Sequence, residues 1–252
     1  MGNYVMILDT ETTSLDKPFC YDCSWVIMDK DDGMIVDLKT YVAEQVWHNL
    51  PLFESAYYKD KRQKYIDMMR RHDATLDKWG YIMRKMEQDI RKYSISEVYA
   101  YNSSFDDKVI SYNCDWFKCN NPLETVQIYD IWGYASCFIT NEHIYRTYCE
   151  VHERFTDTGN YSGNAENVYQ FITNNPDFTE EHMGVFDAEI ESEILYHCIK
   201  SGADWAVNYK VTRVLPREIY HPFTVKVNGD IIYSGEYVKK TVRNDVYNFK
   251  TE

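Results

Sequence analysis

The sequence predicts an α/β fold, in which a mixed five-stranded sheet carries helices on both faces. Three observations favour this fold: strand and helix patterns alternate along the chain, the first strand is apolar throughout, and there is no internal repeat. The 252 residues are 44% hydrophobic and 27% charged, so they can form a full-sized core. This composition excludes a disordered or fibrous chain.

The first three strands are predicted within residues 4–42. Tyr4–Leu8 is a continuous apolar run, typical of a strand that is buried on both faces. Two β-rich segments follow at 21–28 and 34–42, and the Asp-Lys-Asp-Asp-Gly linker between them indicates a hairpin. We expect Gly33 to adopt a positive φ in that turn.

The later elements alternate between helices and strands. Helical composition over 53–93 predicts two helices that are broken near 71–75. A strand at 97–101 leads into a helix that continues to about residue 112, and a second strand at 125–129 ends before Asp130. Further helices are predicted at 141–155, 165–173 and 183–200, with Gly202 as the stop of the last one.

The C-terminal pattern differs from that of the preceding chain. After Pro222, two short β-rich runs are separated by Asn228-Gly229, which is a strong signal for a hairpin turn. We therefore expect an N-terminal domain at 1–205 and a C-terminal extension at 206–252 that contains this hairpin.

Charge, cysteine content and hydropathy restrict the class of protein. A net charge of −13 argues against non-specific coating of nucleic acid, but not against an enzyme that holds a few nucleotides through metal ions. No apolar run is long enough to span a membrane, so no membrane partner is expected. The seven cysteines and the absence of a basic region followed by an apolar stretch at Met1–Met6 predict a cytoplasmic location.

The first candidate site is the run from Asp9 to Thr13, Asp-Thr-Glu-Thr-Thr, directly after the first strand. Because side chains alternate along a strand, Asp9 and Glu11 project from the same face. Two neighbouring carboxylates repel each other unless they are protonated or joined by a cation. A metal site and a polar loop cap are both compatible with this run alone.

Two further candidate segments contain acidic residues at predicted element boundaries. Asn102-Ser-Ser-Phe-Asp-Asp spans the end of a strand and the start of a helix, where acidic residues also serve as simple helix caps. His182 precedes Asp187 by five residues, and Asp187 tops an otherwise apolar helix face. Five residues correspond to about 140° on a helix, so His182 must precede the helix to face the same site.

Together the three segments resemble the motifs of the DEDD 3′–5′ exonucleases, in the His subclass that includes polymerase proofreading subunits. The first motif is Asp9–Thr13, the second is Asn102–Asp106 and selects Asp106 over Asp107, and the third is the pair His182 and Asp187. The resemblance extends over about residues 3–200 and is greatest to phage-encoded members over 160–195. Two departures are Ser14, where the family usually has Gly, and Ser103, where Ala is common.

The resemblance implies an RNase H-like fold and a two-metal mechanism. Two Mg²⁺ ions, for which Mn²⁺ substitutes, would be held by Asp9, Glu11, Asp106 and Asp187, with His182 as the general base. The residues implied to contact the terminal nucleotides are Thr10, Thr12, Thr13, Asn102 and Phe105.

The implied partner is a single-stranded 3′ end, with DNA favoured over RNA by the resemblance alone. A polymerase or another replication protein is a further candidate partner, and the host cytoplasm is the expected location of a viral member. Two alternatives stay open: an exoribonuclease that trims RNA, and a nucleic-acid- or protein-binding member that lost its activity.

A basic segment and two cysteine pairs complete the candidates. Residues 59–92 contain eleven basic and six acidic residues, a net charge of +5 in an acidic chain. We expect this segment to hold the single strand upstream of the scissile phosphate, and a solvated mixed-charge surface is the alternative. The residues proposed for strand binding are Lys61, Arg62, Lys64, Arg70 and Arg71.

Cys20/Cys23 and Cys114/Cys119 are weak zinc candidates, because the second pair has loose spacing and no matching His pair follows.

Overall fold

The structure is a computed structural model that describes residues 3–212 and the backbone of three strands at 219–227, 230–239 and 247–250. Its strands are β1 (Tyr4–Thr12), β2 (Cys20–Asp29), β3 (Ile35–Ala43), β4 (Thr75–Asp77), β5 (Glu97–Ala100), β6 (Gln127–Asp130), β7 (Ile219–Val227), β8 (Asp230–Lys239) and β9 (Tyr247–Lys250). Its helices are α1 (Glu44–Trp47), α2 (Leu50–Phe53), α3 (Arg62–Arg71), α4 (Trp79–Tyr93), α5 (Ser103–Phe117), α6 (Ile131–Ala135), α7 (His143–Val151), α8 (Ala165–Ile172) and α9 (Gly184–Lys200).

A six-stranded mixed sheet in the order β4-β3-β2-β1-β5-β6 forms the centre of the fold. β1, β2 and β3 are antiparallel neighbours, whereas β5 and β6 run parallel to β1. The predicted α/β class is confirmed, but the predicted count of five strands was wrong. β4 adds a sixth strand by pairing Thr75–Asp77 with Tyr41–Ala43, and three half-exposed residues are too few for a visible alternation of hydrophobicity.

Helices pack on both faces of this sheet. Thr10 on β1 bonds to Asp106 on α5, whereas its neighbours Asp9 and Glu11 approach Asp187 on α9. Because successive side chains of a strand point to opposite faces, α5 and α9 cover opposite sides of β1. α9 also packs on β2 and β3, while α4 packs beside α5.

Several element boundaries differ from the sequence prediction. β1 continues four residues past Leu8, because its polar end pairs with β2 as far as Thr12. The helical stretch formed by α6 and the π-helical turn Ser136–Thr140 was not predicted. The β2–β3 turn has the expected positive φ at Gly33, 76°, and this residue lies against the ring of Tyr196, where a Cβ atom would clash.

The C-terminal strands form a separate three-stranded antiparallel sheet, β7-β8-β9. β7 and β8 pair up to Val227 and Asp230, and the predicted Asn228-Gly229 turn between them lies outside the described residues. The boundary between residues 205 and 206 stays a prediction. Within the described part of the chain, every helix is too short or too polar to cross a lipid bilayer.

Candidate active site

Three carboxylates from distant parts of the chain meet at the carboxyl end of β1. Asp9 and Glu11 lie on the same face of β1, and Asp187 lies in the first turn of α9. The carboxylate oxygens that these residues can offer all lie within 4.8 Å of one another. Such a group of hard oxygen donors matches the ligands preferred by Mg²⁺ and Mn²⁺.

These carboxylates are poorly compensated by the protein itself. Within the described part of the chain, Asp9 Oδ2 and Asp187 Oδ1 are buried and have no hydrogen-bond partner. Burial and the neighbouring acidic groups raise the pKa of Glu11 to about 9 and that of Asp187 to about 8, and raise that of Asp9 well above its usual range. A divalent cation would provide the missing partner and offset the repulsion, so the residues present fit a metal centre.

Asp106 lies beside this group on α5. Its side chain is 4% exposed and accepts a hydrogen bond of 2.8 Å from the Thr10 hydroxyl. Burial raises the pKa of Asp106 to about 7, and the charge of Asp106 in turn raises the pKa of Asp9. Asp107, the alternative in the motif, is exposed. The structure thus brings Asp106 to the site, although outside the set of three mutually close carboxylates.

The start of α9 is fixed by a buried aspartate that sequence analysis did not single out. Asp22 lies opposite Glu11 in the β1–β2 pairing and accepts hydrogen bonds from Tyr65 Oη (2.5 Å), Ser24 Oγ (2.6 Å) and the Gly184 N–H (2.9 Å). A Cβ atom on Gly184 would lie 2.9 Å from Ser24 Cβ, so the helix can approach β2 this closely only with glycine there. Asp22 therefore holds the segment that carries Asp187.

His182 precedes α9, as the five-residue spacing requires, and has a positive φ of 46°. Its ring stacks on Tyr58 with 4.5 Å between centroids, and its Nδ1 lies 3.5 Å from Glu180 Oε2. Partial burial, and then the charge of Lys61, lower the pKa of His182 below its ordinary value of 6.5. The ring is thus held against Tyr58 with its Nδ1 turned to Glu180.

The five basic residues proposed for strand binding fall into different surroundings. Lys61 contacts the backbone oxygens of Glu181 and His182. Its positive charge offsets part of the rise in the pKa values of Glu11 and Asp187. Lys64 pairs with the Glu181 carboxylate. These two lysines therefore lie next to the site.

The three arginines of the same set make other contacts. The Arg62 guanidinium lies 4.3 Å from the centroid of a Trp47 ring, and its Nη2 donates to the Trp47 carbonyl. Arg70 pairs with Asp67 and Arg71 pairs with Asp73 at the exposed end of α3. The structure therefore separates the arginines from the two lysines that border the carboxylates.

The predicted nucleotide contacts divide into buried and accessible side chains. Thr10 and Thr13 are 5% and 3% exposed, and the Thr10 hydroxyl is used on Asp106. Thr12 and Phe105 are half-buried, and Asn102 is exposed at a positive φ of 63° directly before α5. Accessible side chains at this edge are thus Thr12, Asn102 and Phe105.

A second group of potential metal ligands includes His182. Ligand atoms of Glu166, Glu180 and His182 all lie within 4.8 Å of one another. Within the described part of the chain, the groups with metal-binding geometry contain carboxylates and this histidine, and Cys20 and Cys23 occur as buried free thiols.

Sequence reasoning missed four residues that shape this region: Tyr58, Asp22, Glu180 and Glu191. Asp22 is the one charged residue inside the apolar run from Cys20 to Met28, which is a signal that was available. Glu191 follows Asp187 by four residues on α9 and was also recognisable from helix periodicity. Tyr58 and Glu180 reach the site only through loop geometry, which has no sequence pattern.

Comparisons with known proteins bear on the fold. No family model matches the chain, and no curated protein matches it by sequence. Among solved structures, a 3′-exonuclease that recognises the 3′ end of a histone mRNA stem-loop is similar, with a TM-score of 0.53 and 9% identity over 92% of this chain and 90% of that chain.

Two further solved structures were found at lower similarity. The nuclease domain of 3′hExo, a DEDDh family member bound to rAMP, has a TM-score of 0.47 and 10% identity, covering 85% of this chain and 98% of that chain. A full-length 3′-exonuclease has a TM-score of 0.48 and 10% identity, covering 91% of this chain and 66% of that chain. The first comparison, together with the sheet order, shows that this chain shares the fold of that 3′-exonuclease.

Proposed function

We propose that this protein is a divalent-metal-dependent 3′–5′ exonuclease that hydrolyses phosphodiester bonds at single-stranded 3′ ends. The observation that carries the proposal is the group Asp9, Glu11 and Asp187, three close carboxylates with two buried, unpartnered oxygens, in the fold of 3′-exonucleases. A purely structural role would leave this buried negative charge uncompensated.

Asp9, Glu11, Asp106 and Asp187 would hold two Mg²⁺ ions, with Mn²⁺ as a substitute. When bound, such ions polarise the phosphate and lower the pKa of a water molecule. The Thr10 hydroxyl donates a hydrogen bond that orients Asp106. Asp22 accepts a hydrogen bond from the Gly184 N–H, which positions the start of α9 and with it Asp187.

His182 would act as the general base for the attacking water. Because Glu180 lies at its Nδ1, the other ring nitrogen, Nε2, is the atom that accepts the proton. A pKa below 6.5 keeps the ring neutral, and therefore able to accept a proton, at neutral pH.

The accessible side chains Thr12, Asn102 and Phe105 would contact the terminal nucleotides, together with the buried Thr10 and Thr13. We propose Lys61, Arg62, Lys64, Arg70 and Arg71 for the upstream strand, and the two lysines beside His182 are the best supported of the set.

DNA is the favoured substrate by family resemblance, and an exoribonuclease is the second candidate. The similar solved structure that recognises a histone mRNA 3′ end supports the second candidate. Nothing in the carboxylate group itself distinguishes the two sugars, because its chemistry is directed to the phosphate.

The test is cleavage of 5′-labelled single-stranded DNA and RNA oligonucleotides with Mg²⁺ or with EDTA. A 3′–5′ exonuclease gives a ladder of shortening labelled products with Mg²⁺ and none with EDTA, and the faster ladder identifies the sugar preference. Asp187→Asn is the matched inactive control. Binding of both oligonucleotides without any cleavage would instead support an inactive binding member of the fold.

A further inference from the structure

Glu191 is a buried carboxylate that interacts with Asp9 and Asp187. It lies on α9 four residues after Asp187, so the two side chains share a face of the helix. Its side chain is only 3% exposed. Within residues 3–212, no lysine, arginine or histidine lies within ion-pair distance of it. A carboxylate buried in this way needs compensation from another source.

The backbone contact of Glu191 locates it beside Asp9. Its Oε2 accepts a hydrogen bond of 3.1 Å from the Tyr101 N–H. β5 runs parallel to β1, and Tyr101 directly follows β5, so this contact lies at the same end of the sheet as Asp9. Consistently, Glu191 raises the pKa of Asp9 more than any other neighbouring charge does.

The surroundings contain too little positive charge for these carboxylates. Lys61 acts on Glu11 and Asp187 from the outer side, but the charges that act on Glu191 come from other acidic residues. Among the described residues, Asp9 Oδ2 and Asp187 Oδ1, which belong to two side chains that interact with Glu191, are buried without hydrogen-bond partners. Unfilled hydrogen-bonding capacity and excess negative charge therefore occur in the same group of side chains.

We propose that Glu191 strengthens the affinity of the metal centre for divalent cations through the negative charge that it places behind Asp9 and Asp187. This inference rests on the metal-binding part of the proposed function. The number of charged ligands is a main determinant of metal affinity in carboxylate sites. In the competing interpretation, Glu191 serves only as the acceptor that fixes the Tyr101 N–H between β5 and α5.

Glu191→Gln separates the two interpretations, because it removes the charge but keeps a side-chain oxygen for the Tyr101 N–H. Mn²⁺ is titrated calorimetrically, without nucleotide, into the wild type, Glu191→Gln and the control Glu193→Gln, which alters an exposed residue of the same helix. We expect the Kd to rise about tenfold in Glu191→Gln and to stay unchanged in the control.

Two further measurements exclude a merely structural effect. Metal-free Glu191→Gln is expected to melt at a higher temperature than the wild type because repulsion is relieved, and its stabilisation by Mn²⁺ is expected to be smaller. Glu191→Asp, which retains the charge, is expected to restore part of the lost affinity.

An unchanged Mn²⁺ affinity in folded Glu191→Gln would overturn the proposal and leave Glu191 as a backbone acceptor. A wild type that binds no Mn²⁺ would overturn it together with the metal requirement. A wild type that binds Mn²⁺ but cleaves no oligonucleotide would refute the proposed exonuclease and leave the result on Glu191 intact, so the two failures are distinguishable.

Discussion

The carboxylate group and the basic segment 59–92 show two different ways in which charge is arranged in this molecule. Asp9 and Glu11 on β1 meet Asp187 from a distant part of the chain, and two of their oxygens are buried and, among the described residues, unpartnered. The basic side chains of the segment are contiguous in sequence, mostly exposed, and in part neutralised by acidic residues of the same segment, as in the pairs Arg70–Asp67 and Arg91–Glu87. Unpaired charge that the fold buries, and not charge concentrated along the chain, identifies the candidate centre.

The largest effect is expected from the loss of a carboxylate of the group Asp9, Glu11 and Asp187. Asp187→Asn removes one carboxylate without changing its shape, and we expect cleavage to fall by about 10³ or more, because a lost metal ligand affects transition-state charge directly. The melting temperature in metal-free buffer is expected to rise, because repulsion among the acids is relieved. Retention of more than a few per cent of the activity would contradict the metal assignment, and Glu193→Gln is the control on the same helix.

The second largest effect is expected from removal of the proposed general base, His182. His182→Ala is expected to slow cleavage by about 10²–10⁴, the usual contribution of a general base, while Mn²⁺ binding persists. The measurement is kcat as a function of pH for wild type and variant. An unchanged rate and pH profile would mean that another group accepts the proton.

Asp22→Asn tests whether the hydrogen bonds of Asp22 position the start of α9 for catalysis. The buried carboxylate accepts three hydrogen bonds, so its loss should destabilise the fold by about 2 kcal/mol and lower kcat by about tenfold through misplacement of Asp187. Ser24→Ala, which removes one of these bonds, is the milder control. Denaturant unfolding and kcat are measured together, and a stability loss with an unchanged kcat would restrict Asp22 to a structural role.

The carboxylate group also predicts how stability depends on pH. Burial raises the pKa values of Glu11 and Asp187 from their ordinary 4.5 and 3.8 to about 9 and about 8, so the folded protein holds more protons than the unfolded chain between these limits. Stability without metal should therefore fall as the pH rises from 6 to 9. Saturating Mg²⁺ should flatten this decline, because the ion replaces the protons. A decline that is equally steep with Mg²⁺ would argue against a cation at these groups.

The smallest effect is expected from substitutions in the exposed basic segment, and it should differ between its lysines and its arginines. Lys61 and Lys64 border His182, whereas Arg70 and Arg71 pair with their own neighbours. We expect Lys61→Gln with Lys64→Gln to raise KM for long oligonucleotides several-fold and to reduce its salt dependence, with little change in kcat. The matched double variant Arg70→Gln with Arg71→Gln should have less effect. Equal effects of the two double variants would show that the segment acts as one surface.

Features with a local sequence pattern were predictable. The ends of apolar strands and the start of a helix are visible in sequence, so Asp9, Glu11 and Asp187 could be predicted as candidate ligands, whereas the choice of Asp106 over Asp107 depended on the family motif. The sheet class was predictable for the same reason. β4 was not, because three residues that pair at a sheet edge leave no periodic pattern.

Contacts made by loops and by single buried charges were not predictable. The stacking of Tyr58 on His182 depends on the path of the chain between α2 and α3, which no local pattern determines. Asp22 lies within a β-rich segment, whose pattern predicts a strand and no more. In such a strand, a charge indicates either a site or a buried hydrogen-bond network, and here it forms such a network beside the site.

Anomalous diffraction from crystals soaked in Mn²⁺ is the most direct test of a divalent-cation centre at Asp9, Glu11 and Asp187. We expect anomalous density between these three carboxylates, and its loss in Asp187→Asn crystals soaked in the same way. Density at Glu166, Glu180 and His182 alone, or at neither group, would contradict it.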